Sequence, residues 1–253
     1  MCTSCGRRPA FYLRRASGEK LCIGCLEKSL IKHVKRKLGE TVNPVPGDRF
    51  VSVIPPGRVA EGYALSILLA KLERRYGGGV TVAYPEDTIT EVQTSRITEE
   101  YPSTQLLPYS MEVVGEGGCY LTRDIISLAE AVTDTLPSID PVKAYLLPFT
   151  LTDLNEYFLE QFFEGSEGGL HHIDSWRTGK RRRVVSPLIE LQRADIIAYL
   201  VGIGEGEVIG AGELPYCPPL REAKRIVGMI STQHTELAYG LAKTLNKITS
   251  RSK

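Results

Sequence analysis

From about residue 41 the chain alternates short apolar runs with stretches whose apolar residues recur every three or four positions. Arg49 to Ile54 is a short β-prone run that stops at Pro55-Pro56-Gly57. Helical spacing then runs from about Val59 to Tyr76, and Gly77, Gly78 and Gly79 end that helix. VTVAY (80–84) reads as a second strand. A helix is predicted from about Thr122 to Thr135, a third strand over VKAYLLPF (142–149) and a helix over LTDLNEYFLEQFFEG (151–165). A long helical stretch covers roughly Pro219 to Ile248, and residues 85–118 carry no readable period. Strand–helix alternation predicts an α/β fold, a doubly wound and mostly parallel sheet with helices on both faces.

The first 40 residues follow a different pattern. Leu26, Leu30, Ile31, Val34 and Leu38 form one apolar helical stripe, with Lys28, Lys32, Lys35 and Arg36 largely opposite. Gly39 is the predicted helix stop, and TVNPVPGD (41–48) reads as a linker. His33 reads as a partly exposed helix residue. The predicted organisation is a module over 1–40 and an α/β body over 41–253.

Charge sharpens that division. The whole chain carries a formal +1, but residues 1–40 hold ten Lys and Arg against three Asp and Glu, a net +7. The remainder holds 21 against 27, a net −6. Such asymmetry points to a polyanion partner for the basic segment, with a solvated lysine-rich helix as the plain alternative. An apolar content of 42% excludes wholesale disorder. No apolar run approaches the ~20 residues that cross a bilayer, and MCTSCGRR is no signal peptide, so a cytoplasmic protein without membrane contact is expected.

Four of the six cysteines lie in the first 25 residues, as Cys2-x2-Cys5, sixteen residues, then Cys22-x2-Cys25. Two CxxC pairs separated by about 15–20 residues have the spacing of a structural zinc site. Each knuckle brings two thiolates together on a tight turn, and two knuckles complete a tetrahedron around Zn²⁺. Gly6 and Gly24 lie in or beside the knuckles, where left-handed backbone is often required. Two disulfides would demand an oxidising compartment that nothing in the chain announces. A segment this short cannot fold on its own core, whereas structural zinc contributes about 10–16 kcal/mol. Four cysteines leave no open coordination position for chemistry, so the site is structural.

In doubly wound folds the first strand–helix turn usually carries phosphate chemistry. Here it reads IPPGRVAEG, with Gly57, Arg58 and a helix N-terminus but no Walker Lys-Ser/Thr and no GxGxxG. Two consecutive prolines remove two N–H donors where a phosphate cradle needs them.

With these parts in order, the chain resembles the PP-loop ATPase family of tRNA 2-thiouridine synthetases. The resemblance starts with the cysteine module and basic helix and continues to a strand where the family carries its SGGxDS pyrophosphate loop. LPFTLTDLNEYFLEQFFEG (147–165) is similar to the family's TGHNLDDxAQ…NLLRG segment, and SPLIELQRADIIAYLVGIG (186–204) to its xPLxxxxxxEVxxYAxLxGI stretch. LPYCP (214–218) looks like its ECPY cysteine. The resemblance implies a PP-loop, adenine nucleotide alpha-hydrolase-like Rossmann fold with an N-terminal zinc ribbon.

The departures carry as much. PPGRVAEG (55–62) replaces SGGxDS, leaving Gly57 and Arg58 as a vestigial nucleotide loop, and Asp153 is the surviving acid of GHNxDD. Members with an iron–sulfur cluster supply three cysteines. Here Cys119 looks like the second of a CxxC whose first place is Glu116, and Cys217 would be the third. Two cysteines fall short of a cluster, so residual cluster ligands, a sulfur-carrying pair and two semi-buried thiols stay open, with no iron–sulfur cluster expected. Asp153 is equally a helix cap or a Mg²⁺ ligand, so ATP and Mg²⁺ binding is in doubt. These losses resemble the family's degenerate branch, the cytosolic thiouridylase second subunits, which pair with a catalytic subunit.

RTGKRRRVV (177–185) adds a second basic run, Arg177, Lys180, Arg181, Arg182 and Arg183, beside Trp176. It could track a phosphate backbone while Trp176 stacks a base, or be a solvated hairpin. His171 and His172 precede it without forming a convincing metal pair. No catalytic acid, base or nucleophile is nameable. The expected function is a tRNA-binding, noncatalytic subunit of a wobble-uridine 2-thiolation complex, paired with a catalytic PP-loop paralogue or with itself. The alternatives are an active ATP-dependent synthetase with a rebuilt loop and a zinc-containing scaffold with no RNA role.

Overall fold

The structure, a computed structural model, describes residues 1–86, 91–111, 125–137, 139, 141–164, 175–211, 218–233 and 237–244. It opens with an antiparallel hairpin, β1 (Tyr12–Arg14) and β2 (Glu19–Leu21), in which Leu13 faces Lys20. Helix α1 (Ile23–Thr41) follows and buries Leu26, Leu30, Val34 and Leu38, the predicted stripe. It runs through Gly39 instead of stopping there. The stop comes where Val42 and Asn43 both donate their N–H to the Leu38 carbonyl (2.9 and 3.1 Å), Asn43 adopts φ +47° and Pro44 follows. A turn that asparagine can make left glycine unnecessary.

The body then alternates through β3 (Arg49–Val53), α2 (Val59–Tyr76), β4 (Gly79–Pro85), α3 (Glu91–Glu100) and β5 (Gln105–Tyr109). It continues with α4 (Ile125–Thr135), β6 (Ala144–Leu146), α5 (Leu151–Glu164), β7 (Ser175–Arg177) and β8 (Arg183–Val185). Helices α6 (Arg193–Gly202) and α7 (Pro218–Gln233) follow, and residues 237–244 are also helical. The six-stranded sheet has the order β5-β4-β3-β6-β8-β7, all parallel except β7, which pairs antiparallel with β8. The α/β architecture with a mostly parallel sheet matches the expectation.

Period-two alternation assigns each strand residue to one of two cores. Phe50, Val80, Val82, Ala144, Leu146 and Val185 join α1, α2 and α6 on one face. Val51, Val53, Ala83, Tyr145, Leu147 and Val184 join α4 and α5 on the other. Burial on both faces is why these strands read as nearly continuous apolar runs. Leu26, Leu30, Val34 and Leu38 lie in the same cluster as Phe50 and Leu65, so α1 is part of the body's helical layer.

Residues 85–118, unreadable in the sequence, contain α3 and β5. The reason is local: EVQTSRITEE is mostly polar, and QLLPY carries Pro108, which a sheet accepts because β5 is an edge strand. Strand β6 is shorter than 142–149, since Pro148 has no N–H to donate and Thr150 already opens α5. Among the described residues, no helix is long and apolar enough to cross a membrane.

Strand order reverses between β3 and β6. The chain leaves β3 for β4 on one side and returns to its other side as β6. In doubly wound sheets the ligand crevice lies beyond the carboxyl ends of the two strands at this switch point. The turns that follow β3 and β6 therefore decide what the protein does there.

Candidate functional site

Those turns deliver Arg58 and Asp153. Gly57 takes φ +72° to leave the Pro-Pro turn, and Arg58 becomes the N-cap of α2. On the other side Thr150 caps α5: its hydroxyl accepts the Asp153 N–H (3.4 Å), while the Asp153 carboxylate accepts the Thr150 N–H (2.9 Å) and hydroxyl (2.6 Å). This reciprocal box aims Asp153 back into the crevice.

There Arg58 Nε lies 2.5 Å from Asp153 Oδ1, its Nη2 3.5 Å from Glu156 Oε2, and its Nη1 donates to the Gly57 carbonyl (3.0 Å). Arg193, the first residue of α6, places Nη2 2.8 Å from Asp153 Oδ1, Nη1 3.5 Å from Glu156 and Nε 2.5 Å from Glu61. Its backbone N–H donates to the Thr152 hydroxyl (3.2 Å). Arg58, Glu61, Asp153 and Glu156 are all buried. Two guanidiniums and three carboxylates thus pair in one cluster, with Arg58 and the carboxylates buried and the Arg193 side chain 26% exposed, and pairing is the condition under which buried charge is tolerated.

The titrations follow from this packing. Burial alone would raise Asp153, but Arg58 and Arg193, with the Thr150 hydrogen bonds, hold it well below the usual carboxylate range. Desolvation pushes Glu156 upward despite the same two arginines. Chemically, an incoming phosphate would have to displace Asp153 from both arginines, on a turn whose two prolines offer no N–H.

A second constellation lies at the hairpin. The Sγ atoms of Cys2, Cys5, Cys22 and Cys25 all fall within 4.8 Å of one another. Tetrahedral coordination at a metal–sulfur distance of about 2.3 Å implies sulfur separations of about 3.8 Å, and Cys5 and Cys22 stand 3.9 Å apart. The first knuckle closes through Gly6 N–H to the Cys2 carbonyl (2.9 Å), with Gly6 at φ +64°. Cys22 is the N-cap of α1, so the second knuckle sits at the start of that helix.

The thiols also titrate as a crowded group. Chiefly through the Cys22 N–H, Cys2 is lowered to about 6. Cys25 feels a lowering hydrogen bond from Ser4, yet contacts with Cys22, Cys2 and Cys5 and desolvation outweigh it and push it up to about 11. Thiols that hold one another's protons this way fit a divalent metal, which would replace those protons and fix both knuckles to α1. The set would hold a closed structural ion.

The hairpin is tied to the crevice through α6. Arg14 Nε lies 3.1 Å from Asp195, while its Nη1 reaches Glu19 (3.0 Å) and its Nη2 the Ser29 hydroxyl (3.2 Å). Arg14, Asp195, Glu61, Glu156 and Arg193 escaped the sequence reading. The available signal was that α6 (RADIIAYLVG) is apolar nearly all round, so its two charges had to be paired inside the protein.

The basic candidates divide. Lys28, Lys32, Lys35 and Arg36 lie exposed on α1, but Arg36 pairs with Glu40 (3.1 Å) and Glu190. On the β7–β8 hairpin Arg177, Lys180 and Arg181 are exposed. Arg182 donates to the carbonyls of Thr133 and Leu136 and stacks on Tyr145 at 5.2 Å, and Arg183 donates to the Thr41 carbonyl. Cys119, Cys217, Glu116, His171 and His172 lie outside the described residues.

No protein-family model matches the chain, and no curated protein matches its sequence. Among solved structures it is similar to the U34-tRNA thiolase NcsA from Methanococcus maripaludis, determined with its 4Fe–4S cluster. The TM-score is 0.70 at 15% identity, over 98% of this chain and 87% of that one. The likeness shows that the two chains share a fold. NAD+ synthetase from Burkholderia pseudomallei also aligns, with a TM-score of 0.39 and 11% identity over 98% and 97% of the two chains.

Proposed function

We propose that the protein is a tRNA-binding, noncatalytic subunit of a wobble-uridine 2-thiolation complex in the cytoplasm, paired with a catalytic PP-loop paralogue or with a second copy. The observation that carries this reading is the Arg58–Asp153 pair at the switch point, supported by its extension to Arg193, Glu61 and Glu156. The crevice where a PP-loop relative would hold ATP is filled by the protein's own charges. The tRNA part of the reading is supported by the likeness in fold to a U34-tRNA thiolase and by the basic module.

In this reading residues 1–40 form the RNA-facing module and 41–253 the degenerate, partner-facing body. Zinc on Cys2, Cys5, Cys22 and Cys25 shapes the module, and Lys28, Lys32 and Lys35 dock phosphates, with Arg177, Lys180 and Arg181 as a second basic group. Each neutralised phosphate steepens the dependence of log affinity on log salt by about 0.7–0.9.

Calorimetric titration of the protein with ATP and Mg²⁺ tests the crevice. No binding heat up to millimolar nucleotide is expected, and a micromolar dissociation constant would return the active synthetase to the lead. Titration with tRNA at low salt tests the partner. Absence of binding, or binding unchanged by charge reversal of Lys28, Lys32 and Lys35, would leave a scaffold without an RNA role.

A further inference from the structure

The outward face of the metal hairpin breaks the usual rule that exposed strand positions are polar. Side chains alternate along β1: Tyr12 and Arg14 are partly covered, and Arg14 turns to Asp195. Leu13, on the opposite side, and Phe11, just before the strand, are each 50% exposed. Arg15, in the turn that follows, is exposed, and Lys20 faces Leu13 across the hairpin on the same side. The surface therefore sets an aromatic ring and a leucine beside two cations, on a segment whose Arg7 and Arg8 are exposed as well.

Phe11 is held in place. Its N–H donates to the Leu21 carbonyl (2.8 Å), and its ring borders Gly202 at the end of α6. A Cβ at Gly202 would stand 3.1 Å from the Phe11 ring and 2.3 Å from Ile23 Cδ1, so glycine there lets both side chains pack close against the end of α6. A fixed, half-exposed aromatic loses little entropy when something stacks on it.

We infer that this face binds unpaired RNA, one base stacking on the Phe11 ring with Leu13 beside it and the flanking phosphates meeting Arg15 and Lys20. The inference rests on the tRNA-binding reading above and names its contact surface. Cations around an exposed aromatic complement a phosphate chain that carries π-faced bases, whereas an apolar protein partner would gain nothing from the charge. Stacking on one ring tolerates any base, so the face recognises single-strandedness and not sequence.

The test uses the full-length, metal-loaded protein and a fluorescein-labelled octauridylate, read by anisotropy across a salt series. Phe11→Ala weakens binding by about tenfold with the salt slope unchanged, and Phe11→Tyr restores it. Lys20→Glu instead lowers the slope by about 0.7 or more, because a phosphate contact is lost. In Phe11→Trp the added indole is quenched by the RNA beyond the signal of Trp176 alone.

Metal content and melting temperature confirm that each variant is folded. If wild type binds octauridylate and Phe11→Ala and Phe11→Trp show neither effect, the stacking face is wrong while the RNA reading stands. If wild type binds neither octauridylate nor tRNA at low salt, both fall. If Phe11→Ala leaves RNA binding intact but turns a sedimenting dimer into a monomer, the face belongs to a second copy and the inference is overturned.

Discussion

Arg193 and Asp195 stand two residues apart in the first turn of α6 and reach in opposite directions, Arg193 to Asp153 at 2.8 Å in the crevice and Asp195 to Arg14 at 3.1 Å on the metal hairpin. One helical turn thus anchors both constellations. A lost charge on either side leaves a buried partner uncompensated, which is what makes such pairs costly to break.

Asp153→Asn is expected to destabilise the fold by about 3–5 kcal/mol, because Arg58 and Arg193 lose the anion they share. Urea unfolding reads this as a lower midpoint at unchanged slope. An unaltered midpoint would mean that the two arginines find other carboxylates at no cost.

Acidity separates the two crevice carboxylates. Asp153 is depressed in the folded state, so its stabilisation is present above an unfolded value of about 3.9 and is lost as pH falls through the lower folded value. Glu156 is raised, so its contribution is present below an unfolded value of about 4.3 and is lost as pH rises through the folded value. The stability of wild type relative to Glu156→Gln therefore rises as pH is lowered from 7 toward 4.5. Paired denaturation curves that stay parallel over that range would contradict it.

Arg14→Ala removes the hairpin's charged bond to α6 and is expected to cost about 1.5–3 kcal/mol. The cysteines flank the hairpin on both sides, so the variant should also release metal to a chelator faster than wild type. Metal release followed with a chromophoric chelator checks this; an unchanged release rate would show that the knuckles hold without the α6 contact.

Chelation itself should lower the melting temperature of the whole chain, not of a separate unit. Leu26, Leu30, Val34 and Leu38 lie in one core with Phe50 and Leu65, so freeing α1 from its knuckles strips cover from the body. Calorimetry should show a single shifted transition; two transitions would mean that the module melts alone.

The basic run of the β7–β8 hairpin should split by role. Arg182→Ala is expected to reduce stability, since it abandons two backbone carbonyls and the Tyr145 face. Arg181→Glu should leave stability within about 0.5 kcal/mol and act on tRNA affinity alone, whereas Lys180→Glu also gives up the bond to the Asp134 carbonyl (2.9 Å). Melting curves and salt-series binding on the same variants distinguish the two.

The chain's own pattern determined those elements whose local periodicity agrees with their burial. The α1 stripe from Leu26 to Leu38 was legible because one face is apolar at helical spacing, and the α2 helix over Val59–Tyr76 because it is a long apolar stretch, buried nearly all round, bounded by Pro55-Pro56-Gly57 and Gly77. The cysteine cluster was legible because two short loops impose their own geometry whatever surrounds them. Helix α3 and strand β5 were not, since the one is polar and the other contains a proline that only an edge position excuses. Nor could Arg58, read as a remnant of a phosphate loop, be seen to meet an acid 95 positions away. That meeting exists only once the sheet reverses its strand order between β3 and β6. Pairing among Arg58, Asp153 and Arg193 is a long-range consequence of topology, because charges attract by distance in space and the chain records only distance in sequence.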